Sequence, residues 1–175
     1  ADNSVTLGNA SVTAVYMAQD SGATVHCSAL YGEITNSVQP AFLVKPSSAQ
    51  TDLAIDTSVT IVFGTEVFDQ GGDFASSAFT APVTGKYQFN ASILLSATVD
   101  ADAVYYQLEL VASNRTIYSL IDPDFGQDAA YWTLNLSVLV DMDASDTVVL
   151  KMRQAGGAQQ VDIHAISSWS GYLVC

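Results

Sequence analysis

Basic residues are scarce in this 175-residue chain: 5 Lys and Arg stand against 18 Asp and Glu, a formal net charge of −13. Phosphate recognition needs clustered cations, so the composition argues against nucleic-acid binding. Docking on anionic lipid needs the same cations and is disfavoured with it. Charge of either sign is thin, at 13% of residues. A helical protein usually solvates its surface with Glu, Lys and Arg. Here Ser, Thr, Asn and Gln are abundant instead, which suits strand surfaces. No apolar run reaches the roughly 18–20 residues of a bilayer-spanning helix, and no membrane insertion is expected. Glycine (11) and proline (4) are too few for a collagen-like or low-complexity chain. The two cysteines, Cys27 and Cys175, lie almost a full chain apart and lack any metal-type spacing. One disulfide and two free thiols are both compatible with that. The opening Ala1-Asp2-Asn3-Ser4 contains neither Met nor an apolar signal-peptide stretch, so the chain is expected to be a fragment or a processed product.

Catalytic motifs are missing as well. No GxSxG, HExxH, phosphate-binding loop or dinucleotide fingerprint occurs. The two histidines are His26 and His164. His26 precedes Cys27 directly, and neighbouring strand residues point to opposite faces, so the two cannot act as a dyad. The expectation is a non-enzymatic protein with no required cofactor.

What the chain does have is 49% hydrophobic residues, enough for a substantial core. Their arrangement is strand-like. Tyr87, Phe89, Ala91 and Ile93 alternate with Gln88, Asn90 and Ser92. Tyr106, Leu108 and Leu110 alternate likewise, as do Trp132, Leu134, Leu136, Val138 and Val140. Ala41–Val44, Val59–Phe63, Thr147–Met152 and Trp169–Val174 complete the set, and no amphipathic helix is found. Turn signals separate them, among them Asp69-Gln70-Gly71-Gly72 and Ala155-Gly156-Gly157. Many short strands at regular spacing predict an all-β sandwich or barrel. Residues 1–36 differ in texture: short β-type fragments are broken by Gly and Asn and carry few bulky side chains. The expected organisation is a fibre-shaft-like β segment over 1–36 and a head over 37–175.

From Phe63 onward the aromatic spacing is specific. Five residues separate Phe63 from Asp69, four separate Asp69 from Phe74, and five separate Phe79 from Gly85-Lys86-Tyr87-Gln88-Phe89. With Pro40-Ala41-Phe42, Ala144-Ser145-Asp146-Thr147-Val148 and Ser168-Trp169-Ser170-Gly171-Tyr172-Leu173, this resembles the globular domain of complement C1q, a jelly roll shared in outline with tumour necrosis factor. The resemblance covers about residues 40–175. Three departures stand out: the Phe74–Phe79 gap is two residues short, Ala91 replaces an aromatic, and Ser145 replaces a glycine. The resemblance implies a homotrimer in which Phe63, Phe79, Gly85, Tyr87, Phe89, Trp169, Gly171 and Tyr172 serve core and trimer packing. Tyr87, Phe89, Leu134, Leu136 and Tyr172 are all expected to be buried. The N-terminal Val5-Thr6-Leu7-Gly8-Asn9 and Gly22-Ala23-Thr24-Val25 resemble bacteriophage tail-fibre shaft repeats.

Asp122-Pro123-Asp124-Phe125-Gly126-Gln127-Asp128 has the spacing of part of a calcium loop, in which alternate oxygens converge and Gly permits the bend. The bidentate Glu of a full loop is missing, so a solvated acidic loop is the alternative. Asp122, Asp124 and Asp128 are therefore candidate calcium ligands. Together with Asp100 and Asp102 they are also candidate receptor-binding residues on loops distal to the shaft. The functional expectation is a trimeric receptor-binding head of a phage or viral fibre, displayed on the virion and recognising a host-surface glycan or protein. A secreted C1q-like lectin or adhesin, and a structural virion spike, are the alternatives.

Overall fold

Alternation of large apolar and small polar residues dictates strands, and strands with one apolar face must pair face to face. The computed structural model describes Ser11 and residues 38–175. Apart from Ser11, the segment 1–36 expected to be shaft-like, with His26 and Cys27, lies outside the described residues. Along the chain run β1 (Ala41–Lys45), β2 (Val59–Thr60), β3 (Thr65–Gln70), β4 (Phe74–Ala75), β5 (Ala78–Thr80), β6 (Gly85–Ser96), β7 (Ala103–Ala112), β8 (Arg115–Ile121), β9 (Trp132–Met142), β10 (Thr147–Gly156), β11 (Asp162–Ile163) and β12 (Ser168–Leu173). They form two antiparallel sheets. One has the order β3-β1-β12-β6-β9, with β11 also beside β6; the other has β4-β5-β10-β7-β8, with β2 also beside β10. This is the jelly-roll sandwich expected from the sequence.

The core lies between the sheets. Tyr87, Phe89, Ala91, Ile93 and Leu95 of β6 face Tyr106, Leu108 and Leu110 of β7 and Val148, Leu150 and Met152 of β10, all buried. At its centre Phe42 packs on Phe74, Phe79 and Trp169, with ring centroids 5.0, 5.0 and 5.1 Å away. Offset and edge-on ring pairs of this kind add to the area term. Gly171 makes the cluster possible. A Cβ there would sit 2.6 Å from Phe89 and 2.7 Å from Phe42, so only hydrogen fits.

Phe63, Phe79, Tyr87, Phe89 and Trp169 are buried as expected, and so are Leu134 and Leu136. Tyr172 is not. It is 45% exposed, because the inward positions of β12 are Trp169 and Gly171. Trp169 and Tyr172 are three positions apart, an odd number, so a regular strand sends them to opposite faces. The expected strand Val59–Phe63 shortens to β2, although Ile61 and Phe63 still reach the core. The alternating stretch Val161–Ile166 around His164, expected as a strand, shortens to β11, whereas β3, β4, β5 and β8 had no strand counterpart in the sequence.

The two-residue shortening between Phe74 and Phe79 closes a tight hairpin. Ser76 and Ser77 both have positive φ (51° and 62°), as a type I′ turn demands, and the Ser77 hydroxyl accepts the Phe63 N–H at 2.9 Å. Ser145 is held at φ 76° in the β9–β10 turn, where a glycine would carry no Cβ strain. Ser145→Gly is expected to stabilise the fold by about 1 kcal/mol, read as a higher urea midpoint with unchanged slope. A lower midpoint would show that the serine side chain stabilises the turn by more than it strains it.

Candidate functional site

The chain enters the sandwich at Ala41 and leaves it at Leu173 side by side, since Ala41 pairs with Tyr172. From there β6 runs to Ser96, and the loop 97–102 returns the chain into β7. β8 ends at Ile121, and the loop 122–131 leads into β9; β10 ends at Gly156, and 157–161 leads to β11. All three loops therefore gather at the end opposite the entry and exit. Surface loops on a rigid frame are the usual carriers of recognition.

Two carboxylates bind these loops to one another. Asp100 is only 2% exposed. It accepts N–H groups from Ala158 (2.6 Å), Gln159 (2.8 Å) and Asp102 (2.8 Å), while its own N–H donates to the Tyr106 hydroxyl at 2.7 Å. Burial works against the Asp100 charge, yet the amides of Gln159, Asp102 and Ala158 outweigh it and hold the carboxyl below its ordinary value. Burial also drives the Tyr106 hydroxyl up to about 12. Gly157 lies against this clamp at positive φ; a Cβ there would come within 2.7 Å of the Asp100 carboxylate. Asp128 makes the second tie, accepting the Ala101 N–H at 3.0 Å and the Gln159 side-chain amide at 3.0 Å. Val99 and Ala129 pair across the same gap.

This corrects the expectation for Asp100. It is a buried clamp inside the loop cluster and has no surface to offer a receptor. The other predicted residues, Asp102, Asp122, Asp124 and Asp128, are exposed at this end. Their carboxylates do not converge as the calcium spacing suggested. Asp122 accepts the Asp124 N–H at 3.3 Å in a local turn, whereas Asp128 reaches the neighbouring loops. Among the described residues no group of three His, Cys, Asp or Glu is placed to hold a metal ion.

Sequence reasoning missed the aromatic member of this end. Trp132 begins β9 on its inward phase, yet at the rim it is 39% exposed. It stacks on Phe125 with ring centroids 4.9 Å apart and planes 24° from parallel. Tyr131 beside it is 63% exposed. The only signal in the sequence was two adjacent aromatics following an Asp-rich loop.

Comparison with known proteins agrees with the sandwich. The globular domain of zebrafish complement 1qA protein superposes with a TM-score of 0.55 at 15% identity, covering 78% of this chain and 98% of that one. Murine APRIL superposes with a TM-score of 0.57 at 8% identity, covering 78% and 99%. At such identities the likeness speaks for the fold alone. The family model for the C1q domain matches residues 41–174, nearly the whole described sandwich, and with it the spaced aromatics Phe63, Phe79, Tyr87 and Phe89. The chain belongs to the C1q domain family.

Proposed function

We propose that the chain is a non-enzymatic, homotrimeric recognition head, carried at a phage or viral fibre tip on the virion surface, whose distal loops contact a host-surface glycan or protein. The observation that carries the trimer is the outer face of the β3-β1-β12-β6-β9 sheet. Register aligns Phe68, Leu43, Ser170, Asn90 and Ser137 in one row, and Gln70, Ala41, Tyr172, Gln88 and Leu139 in the next. Neither row holds a charge, in a chain with 18 acidic residues. Asn90 and Ser137 hydrogen-bond to each other at 2.8 Å instead of reaching for water. A band free of charge, set with the exposed Tyr172, Leu139 and Phe68, is what a buried contact between copies needs. The exposed Tyr118 and Leu120 of β8 supply a second, different patch, and two unlike patches close three copies into a ring.

Light scattering should return three times the protomer mass of 18.5 kDa. Tyr172→Glu places a carboxylate on this face, at a position the single protomer leaves open to water. It is expected to split the trimer while leaving the far-ultraviolet dichroism unchanged. A native chain that stays a soluble monomer at micromolar concentration overturns the trimer. Attachment to host cells that survives alanine substitution throughout 122–127 moves the contact away from the distal loops.

A further inference from the structure

The chain has two tryptophans, and they live in opposite surroundings. Trp169 is sealed in the core, whereas Trp132 stands at the distal rim. Its indole is not loose. Phe125 lies flat against it, and Phe125 itself packs on the core, so the plane of the stack is fixed while part of it faces water. Tyr131, its neighbour in the chain, is a second exposed ring. Folding alone gains nothing from leaving two large rings in water, so the corner is a preformed platform for something that covers it.

Charge selects the occupant. Asp124 directly precedes Phe125, and Asp122 stands two residues before that, both exposed. The distal loops 97–102, 122–131 and 157–161 contain neither lysine nor arginine. An anionic sugar would be repelled from this end. A neutral sugar could stack but would gain nothing from the surrounding field. An ammonium would feel the field, but it has no flat face for a flat platform. A guanidinium satisfies both demands: it stacks on an indole or phenol face and gives two parallel N–H groups to one carboxylate. We propose that this corner receives an arginine side chain presented by a partner protein, stacked on Trp132 and Tyr131 and bonded to Asp124. The inference rests on the recognition-head reading and names the chemistry of its partner.

The position of the two tryptophans makes the test direct. In the full chain, a change in tryptophan emission on adding a peptide reports Trp132, with Trp169 as a constant background. A glycine-spaced tri-arginine peptide should shift the emission and bind at least about fivefold tighter than its tri-lysine counterpart. Asp124→Asn and Tyr131→Ala should each weaken it by about tenfold, and Asp102→Asn, on the neighbouring loop, by less than about twofold. Equal binding of the arginine and lysine peptides, with Asp102→Asn as harmful as Asp124→Asn, would reduce the effect to general attraction by an acidic surface and overturn the proposal. So would emission that answers only to a neutral probe such as maltohexaose. Light scattering on the same samples keeps the two readings separate. A trimer that ignores the arginine peptide sinks this inference alone, while a monomer sinks the trimer irrespective of the peptide.

Discussion

Phe89→Ala is expected to remove about 3–5 kcal/mol of stability, measured by urea unfolding at fixed protein concentration. Phe89 is fully buried and sits within 5.8–6.4 Å, centroid to centroid, of Phe79, Trp169, Phe42 and Tyr87. Its loss opens a cavity that none of these neighbours can fill without abandoning its own ring contacts. Gly171, whose backbone lies against the ring, has no side chain to swing into the gap. The cost thus includes both the transfer of the ring and the void it leaves. A loss below about 1 kcal/mol would mean that β6 does not turn this face inward.

Asp100→Asn should cost about 2–4 kcal/mol, because an amide offers one acceptor oxygen where the carboxylate offered two. Three backbone N–H groups then compete for half the oxygens, in a place where water has little access. The same clamp gives a pH signature. The folded carboxyl lies below its ordinary value, so the stability it contributes is complete above the unfolded value of about 3.9. It is lost as pH falls through the lower folded value. The native chain should therefore lose stability in acid more steeply than Asp100→Asn, which has no carboxyl there to protonate. Parallel acid profiles for the two proteins would show that Asp100 does not hold the loops through its charge.

The long strands were legible because each repeats one simple instruction. In β6 and β10 every second residue is apolar over many positions, and no helix fits that period. β3 and β8 carry no such signal. β3 is exposed on both faces over Thr65–Phe68, and in β8 the outward Tyr118 and Leu120 are as apolar as the inward Ile117 and Ile121. Two-residue strands such as β4 are too short for any period. At the distal end the positions of the loops followed from the fold, but the roles of their acids did not. Asp100 and Asp102 look alike in a sequence, and only tertiary packing makes one a buried acceptor and the other a surface charge. The three acids of the calcium-type spacing are held apart for a related reason. Asp128 is drawn toward Ala101 and Gln159, contacts remote in the chain that no local motif encodes.

The division of labour in this cluster also decides how the head can change. Asp100 and Asp128 hold three loops in register by contacts that look inward, and Pro123 and Phe125 pin the tip to the frame, so the exposed Asp122, Asp124, Gly126 and Gln127 and the ring of Tyr131 can be exchanged without loosening it. Gly126 points into open space at φ 74°, leaving room there for insertions of varied length. A diversified library confined to positions 122, 124, 126, 127 and 131 should keep its melting temperature while its binding preference drifts. The same randomisation spread onto Asp100 or Gly157 should yield mostly unfolded members. The clamp thus separates what the protein must keep in order to exist from what it can vary in order to meet a new surface.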